Sequence, residues 1–224
     1  MGKWKNGWKA GILALMVSMV TPDVMAADWT LWGGRTLQNP GEALRASVGW
    51  PGIDVAYHFL YDIDLEIAPK ASFSYGQAAI LENVSTCCGF KLIAGAETRW
   101  SFFSQSGFSM AVRGETGLIL DLAPVGADQE GIGTGVRISP GIAVDYNATP
   151  EVNVVGGFDV PIDILFQYPT TAVIPFLLRT GLEFHPTQKL SVVTLIGIGP
   201  GILVSEYTSG GFALNAMIGA GYLF

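Results

Sequence analysis

The chain has 224 residues, of which 50% are hydrophobic, 14% are charged and 29 are glycine, a composition that is unusual for a soluble globular domain. Its 19 acidic residues outnumber its 12 basic ones, which argues against nucleic acid as a partner, because nucleic acid is itself polyanionic.

The beginning of the chain is organised like a secretory signal peptide. A short lysine-containing start is followed by an uncharged apolar run at 10–20, which is too short to cross a bilayer as a helix. Val24 and Ala26 are then spaced like the small residues of a cleavage site. We expect cleavage near Ala26 or Ala27, which removes a signal peptide of residues 1–27. A membrane anchor that stays attached is the alternative.

The segment DWTLWGGRTLQNPG, residues 28–41, precedes the first predicted strand and contains Trp29 and Trp32. We expect a periplasmic N-terminal extension here. A loose tail is the default interpretation, and an interfacial anchor and a partial plug are the alternatives.

The remainder, residues 42–224, has the pattern of consecutive strands. Ten stretches alternate between an apolar face and a polar or small face, at 43–50, 53–61, 63–76, 90–103, 107–122, 135–148, 152–165, 173–185, 189–204 and 212–224. No Asp, Glu, Lys or Arg lies on the ten apolar faces, as expected for strands whose outer face meets lipid. Most stretches are also longer than the strands of a soluble sandwich and are long enough to cross a bilayer at a tilt.

This pattern predicts an all-β fold, a closed antiparallel transmembrane β-barrel of about ten strands, with eight or twelve strands as alternatives. Only helices and closed barrels satisfy every backbone polar group in lipid, and no stretch after the signal peptide is long and apolar enough for a spanning helix. An even strand number puts both termini on the side of the short turns, which is the periplasm in bacterial barrels.

The chain ends in GFALNAMIGAGYLF, in which every second residue from Phe212 to Phe224 is apolar. A last strand of this kind resembles the closing strand of bacterial outer-membrane β-barrel proteins, including the small porin-like ones. The resemblance implies that Tyr222 and Phe224 belong to the signal read by the barrel-assembly machinery. It also implies that this machinery and outer-membrane lipid are the partners, and that the protein resides in the cell outer membrane of a Gram-negative bacterium. It implies no activity.

The alternation directs a set of charged and histidine side chains into the lumen: Arg45, Asp54, His58, Asp64, Glu66, Lys70, Lys91, Glu97, Arg99, Arg113, Glu115, Asp121, Arg137, Asp145, Asp159, Asp163, Arg179 and Glu183. Arg99 with Glu97, and Arg113 with Glu115, lie on neighbouring predicted strands and are expected to pair across them. Such charges either fill and lock a narrow barrel or line a water path and select ions.

Cys87 and Cys88 are the 2 cysteines of the chain. Because they are adjacent, the possibilities are free thiols, an intermolecular bond, or a strained disulfide between neighbours. Two ligands are too few for a metal site, and we expect no metal and no cofactor.

The histidines argue against catalysis. His58 is expected to belong to the polar network of the lumen, and His185, beside a predicted turn, to be solvated. Although His58 is expected near Asp54 and Asp64, the sequence has no His-x-Ser pair of the kind found in barrel deacylases, and no pair of acids can be assigned to one rim as in barrel proteases. We therefore expect the protein not to be an enzyme.

The functional expectation is therefore a structural barrel or a narrow pore with a charged lumen. The alternative is a carrier of small apolar molecules, favoured by the turn at Pro51 and Gly52, which joins two short strands and lowers the wall. A surface-binding module is a third possibility, which the short outer loops disfavour. The oligomeric state stays open.

Overall fold

The computed structural model of the protein describes residues 28–37, 41–76, 79–81, 89–122, 132–166 and 169–224. In these residues 13 strands form one sheet: β1 (Glu42–Trp50), β2 (Gly52–Asp62), β3 (Leu65–Ser74), β4 (Ala79–Leu81), β5 (Lys91–Gln105), β6 (Phe108–Asp121), β7 (Gly133–Thr149), β8 (Val152–Asp159), β9 (Ile162–Leu165), β10 (Thr171–Pro175), β11 (Leu177–Thr187), β12 (Leu190–Val204) and β13 (Thr208–Leu223). No helix in the described part of the chain is long and apolar enough to cross a membrane. The expected signal peptide lies outside the described residues.

The sheet closes on itself. β1 pairs antiparallel with β13, from Ala43 opposite Leu223 to Trp50 opposite Ala216. Each remaining neighbour is also antiparallel, and β8 with β9, and β10 with β11, each make up one strand of the wall. With the three-residue β4, which pairs only with β13, left out, the wall has ten strands. The prediction of an all-β, closed, antiparallel ten-strand barrel is confirmed.

Two wall strands are interrupted where continuous strands were expected. Val160 and Pro161 separate β8 from β9, and Phe176, which follows Pro175, separates β10 from β11. Proline has no backbone N–H and cannot donate to the ladder. The N–H groups of Val160 and Phe176 still donate to Pro140 O and Pro200 O on the adjacent strands, so the wall stays continuous through both interruptions.

The two ends of the barrel differ. Four short turns, at 63–64, 106–107, 150–151 and 188–189, lie at the end where β1 begins and β13 ends, and we call it the short-turn end. At the turn between β5 and β6, Ser106 and Gly107 both have positive φ, the geometry of a two-residue type I′ hairpin. The opposite, long-loop end carries the connections around 75–90, 122–132 and 166–170.

The β1–β2 hairpin is short at the long-loop end. β1 and β2 are joined by Pro51 alone, and β1 reaches β13 only as far as Ala216, although β13 begins at Thr208. The short strand β4, which the alternation did not predict, crosses above this hairpin and pairs with Gly211, Phe212 and Ala213 of β13. Three residues are too few to display a period of two, so β4 carries no strand signal in the sequence.

Candidate functional site: the filled lumen

The predicted lumenal side chains lie inside the barrel, with one exception. Thirteen of the set are buried: Arg45, His58, Glu66, Lys91, Glu97, Arg99, Glu115, Asp121, Asp145, Asp159, Asp163, Arg179 and Glu183. Asp54, Lys70, Arg113 and Arg137 expose only 11–21% of their side chains. Asp64 is the exception, because β3 begins one residue later and Asp64 is exposed in the turn at the short-turn end.

The expected charge pairs between β5 and β6 have different partners. The register places Glu97 opposite Glu115 and Arg99 opposite Arg113, so like charges face each other directly. Arg113 Nη2 instead reaches Glu97 Oε1 diagonally, at 3.2 Å. Arg99 Nη2 pairs with Glu66 Oε2 on β3 at 2.7 Å. The expected pairing across β5 and β6 is therefore confirmed for Arg113 with Glu97 but not for Arg99, because the choice of partner depends on the register.

Glu115 completes its pairing away from β5. Its Oε2 accepts a hydrogen bond from Lys70 Nζ at 2.8 Å, and its Oε1 lies 3.8 Å from Arg137 Nη1. Arg137 in turn donates to both carboxylate oxygens of Asp163, at 2.6 and 2.8 Å. Each charge at this level of the lumen therefore has an opposite charge beside it.

A continuous chain of ion pairs crosses the middle of the lumen. Arg45 Nη2 lies 3.0 Å from Glu97 Oε2, and the same carboxylate binds Arg113. Arg113 Nε is 3.7 Å from Asp159 Oδ1, and Asp159 Oδ2 is 2.6 Å from Arg179 Nε. The chain links β1, β5, β6, β8 and β11, so it joins distant parts of the wall through the interior.

The N-terminal segment, residues 28–37, occupies the lumen between these ion pairs and the short-turn end. Trp29, Leu31, Trp32 and Leu37 expose no more than 3% of their surface and pack with Val155, Val193 and Leu195 of the wall. A loose tail was the default expectation, and it is wrong for these residues. The partial plug, one of the two alternatives from the sequence, describes their position.

Acidic side chains of the wall hold the backbone of this segment. The N–H of Leu31 donates to Glu183 Oε1 at 3.1 Å, and the N–H of Leu37 donates to Glu66 Oε2 at 3.1 Å. Asp145 Oδ1 accepts from the N–H groups of Gly34 and Arg35, at 2.6 and 2.9 Å. Hydrogen bonds to a charged acceptor are stronger than neutral ones, so these contacts fix the path of the segment.

Arginine side chains bind its carbonyl groups. Arg99 donates to Thr30 O at 2.7 Å and to Gly33 O at 3.1 Å. Arg45 donates to Leu31 O at 3.3 Å, and its guanidinium carbon lies 5.5 Å from the centre of the Trp32 ring. The same two arginines thus serve both the ion pairs and the segment.

Glycines of β13 give the segment room. A β-carbon at Gly219 would lie 2.6 Å from the Trp32 ring, and one at Gly221 would collide with Leu31. At the bend of the segment itself, a β-carbon at Gly34 would lie 2.5 Å from Ser109 O on β6. A side chain at any of these positions would therefore require its neighbour to shift: at Gly34 that neighbour is backbone, and at Gly219 and Gly221 it is a side chain of the segment.

The two histidines belong to this interior. His58 Nδ1 lies 2.5 Å from Glu66 Oε1, within the predicted network. His185 is fully buried, 3.2 Å from Asn153 Nδ2, and meets the Trp29 ring edge-to-face at 5.0 Å. The expectation of a solvated His185 is therefore wrong. The period of two, which puts Glu183 inside, also puts His185 inside, and the neighbouring turn obscured that signal.

The remaining predicted residues lie elsewhere. Tyr222 and Phe224 are exposed on the outer face, with their rings 5.5 Å apart, and Phe224 N donates to Glu42 O at 2.9 Å. Cys87 and Cys88 lie outside the described residues. Within the described ranges, no group of three or more His, Cys, Asp and Glu side chains could hold a metal ion.

No protein-family model matches the chain, and no curated protein sequence matches it significantly. The geometry of the lumen is therefore the basis for any functional conclusion.

Proposed function

We propose that the protein is a non-enzymatic integral barrel of the outer membrane whose lumen is closed to ions by its own N-terminal segment. The observation that carries this proposal is the course of residues 28–37 through the lumen, hydrogen-bonded to Glu66, Asp145 and Glu183 of the wall. Of the two expectations from sequence, the structural barrel is therefore preferred over the narrow pore.

Placement in a membrane is supported by the outer face. Large apolar side chains are exposed around the wall, among them Leu44, Val55, Leu118, Ile142, Leu178 and Ile196. Phe90, the residue before β5, and Trp100 within β5 are both exposed and lie ten positions apart, which corresponds to about 25 Å along the barrel axis at about 3.3 Å per residue and a tilt of about 40°. That distance matches the apolar band of outer-membrane barrels, which aromatic side chains border on both sides.

Closure of the lumen is supported by the partners of its charges. An ion path requires water along its length, whereas Arg45, Glu97, Arg113, Asp159 and Arg179 are occupied by one another. Below them the Trp29 and Trp32 rings replace water with apolar surface. A cavity of about 470 Å³ remains at the short-turn mouth, beside Arg35 and Leu37, but the segment separates it from the middle of the barrel.

Conductance across a planar bilayer tests the proposal. The refolded chain from residue 28 onward should give no steady current. Gly34→Leu should admit current, because its side chain would collide with Ser109 O and displace the segment. Gly210→Leu is the matched control, since nothing lies within 4 Å of a β-carbon there. A steady conductance from the unmodified barrel would exclude the closed state.

A second candidate is a carrier of small apolar molecules. The observation that favours it is the short hairpin at Pro51, where β1 stops eight residues short of the start of β13 in register and the three-residue β4 takes its place beside β13. A closed axial lumen is compatible with this function if the molecule enters from the side. Binding of lipid-soluble ligands to the barrel in bilayer discs distinguishes a carrier from a purely structural barrel.

A further inference from the structure

Wall side chains hold the N-terminal segment through its backbone. Three acids and two arginines of the wall bind four N–H groups and three carbonyl groups of residues 28–37. Within the described residues, no backbone–backbone hydrogen bond joins the segment to a wall strand, and the segment forms no strand itself. The lumen therefore holds an extended chain by groups that every polypeptide possesses, without making that chain part of the sheet.

One side chain of the segment, that of Arg35, has a binding site of its own. Its Nε donates to Asp145 Oδ2 at 2.8 Å, and its Nη2 donates to Asn153 Oδ1 at 3.1 Å and to Asn147 Oδ1. Asp145 and Asn147 belong to β7, and Asn153 lies opposite Asn147 on β8. A carboxylate and two amide oxygens that converge on one planar cation form a guanidinium-binding site, and we call these three residues the Asp145 subsite.

The Asp145 subsite depends on the segment for its positive charge. The Asp145 side chain is 0% exposed, and among the salt bridges of the described residues its cation is Arg35, at 2.6 Å. Glu66, which also holds the segment, has Arg99 of the wall as its cation, at 2.7 Å. Removing the segment would thus leave Glu66 paired and Asp145 unpaired. Because a buried carboxylate without a cation is costly, a lumen without its segment requires a cationic guest at this position.

The Asp145 subsite borders the cavity of about 470 Å³ at the short-turn mouth. Arg35 and Asn147 both line this cavity, and so do Ile63 and Asp64, which are exposed in the turn between β2 and β3. The cavity thus connects exposed turn residues with the guanidinium without crossing the ion pairs in the middle of the lumen. A second polypeptide that enters at this end meets the Asp145 subsite first.

The rest of the segment defines which peptide fits. The Trp29 ring meets His185 edge-to-face at 5.0 Å, and the Trp32 ring lies 5.5 Å from the guanidinium carbon of Arg45. At the position before the arginine, a β-carbon on Gly34 would lie 2.5 Å from wall backbone, so glycine fits best there. The matching ligand is an extended peptide with a Gly-Arg pair and aromatic residues three and six positions before the arginine.

We propose that the lumen is a binding site for an extended peptide of this kind, and that residues 28–37 occupy it as an internal ligand that an arginine-containing segment of another protein replaces. The bound backbone groups are common to all peptides, so the Asp145 subsite and the two ring positions provide the selectivity. The inference rests on the closed lumen of the proposed function and names the class of partner that the same site binds.

Fluorescence anisotropy of a labelled synthetic peptide with the sequence of residues 28–37 tests the site, with the barrel from residue 28 onward in bilayer discs. The Gly34→Leu barrel, whose own segment is displaced, should bind the peptide saturably. The unmodified barrel should bind it at least about tenfold more weakly, because its own segment competes at an effective concentration on the order of 1 mM. If Gly34→Leu does not fold, Arg35→Ala takes its place, since it vacates the Asp145 subsite.

A second peptide tests the arginine. With Arg35 replaced by citrulline, which has the same shape without the charge, the peptide should bind the Gly34→Leu barrel at least about tenfold more weakly, because the charged hydrogen bonds to Asp145 are lost. Adding Asp145→Asn to the barrel should remove the difference between the two peptides. Asp64→Asn is the matched control, because this exposed acid lines the same cavity and its loss should leave the difference unchanged.

Absence of saturable binding to both variant barrels would overturn the site, and so would equal affinity of the arginine and citrulline peptides. An unmodified barrel that conducts ions, together with a Gly34→Leu barrel that prefers the arginine peptide, would remove axial closure from the proposed function and leave this site intact. An unmodified barrel that is closed, with variants that bind neither peptide, would leave the closure intact and remove the site.

Discussion

The backbone N–H of Leu31 donates a hydrogen bond to Oε1 of Glu183 over 3.1 Å, and both groups are buried inside the barrel. The two residues are 152 positions apart in the chain. The same carboxylate oxygen accepts the hydroxyl of Ser191 at 2.6 Å. One wall residue therefore joins the N-terminal segment to two strands, and the segment is part of the folded barrel.

Substitution of Glu183 should show how much this junction stabilises the barrel. Glu183→Ala leaves the Leu31 N–H and the Ser191 hydroxyl buried without their acceptor, at a cost of about 1–3 kcal/mol for each such group. Glu183→Gln keeps an acceptor oxygen and should lower the free energy of unfolding by less. Urea unfolding in lipid, followed by tryptophan fluorescence, measures both. If alanine and glutamine variants are equally stable, the acceptor is unimportant.

Substitution of Arg113 should also lower the free energy of unfolding strongly. It lies between Glu97 and Asp159, and Arg113→Ala leaves these acids without one of their two cations. Breaking a buried ion pair on one side costs about 3–5 kcal/mol, so unfolding should shift to clearly lower urea concentration. Arg113→Met fills most of the space without the charge and should be nearly as unstable. Lys189→Ala, in an exposed turn, is the control, and equal stability of Arg113→Ala and this control would contradict a structural network.

The period of two in the sequence was sufficient to predict the wall. It separates inward from outward positions because each strand residue faces the opposite side from its neighbours, and so it placed Arg179 and Glu183 correctly in the lumen. The partners of the charges could not be predicted, since a shift of one position changes every cross-strand contact. The opposition of Arg99 to Arg113 is the clearest case.

The position of the N-terminal segment inside the lumen could not be predicted from the sequence, for a different reason. The apolar residues of this segment, Trp29 and Trp32, follow no helical or strand period. Their burial depends on the space that the closed barrel of ten strands leaves in its lumen. Gly219 and Gly221 were visible as small residues on β13, but a small inward face is equally compatible with an open pore. Only the closed barrel shows that these glycines lie against Trp32 and Leu31.

Phe224 is expected to act in biogenesis. Phe224→Asp should lower the amount of membrane-inserted barrel in cells while export through the inner membrane continues, because the outer, apolar end of β13 would then carry a charge toward lipid. Heat-dependent gel mobility of the outer-membrane fraction measures the folded barrel. Tyr207→Asp, at an exposed position beyond the other end of β13, is the matched control. Unchanged levels of folded protein in Phe224→Asp would show that the terminal aromatic is incidental.

Two tryptophans provide separate tests of the two placements that the proposed function requires: the outer face of the wall in lipid, and the N-terminal segment in the lumen. Trp100 is 55% exposed on the outer face, whereas Trp32 is 3% exposed beneath Arg45 in the lumen. Two variants that each retain one of them, with the other tryptophans of the chain from residue 28 onward replaced by phenylalanine, report on one location each.

Lipids brominated on their acyl chains should quench Trp100 strongly and Trp32 weakly, because the quencher must touch the ring and the wall separates Trp32 from lipid. Aqueous iodide should quench neither in the folded barrel and both after unfolding in urea. Weak quenching of Trp100 by the brominated lipid would contradict the membrane placement. Strong iodide quenching of Trp32 in the folded barrel would contradict the lumenal position of the segment, even if Trp100 lies in lipid. The membrane placement of the outer face and the lumenal position of the segment are thus tested independently, because each test uses a different tryptophan and a different quencher.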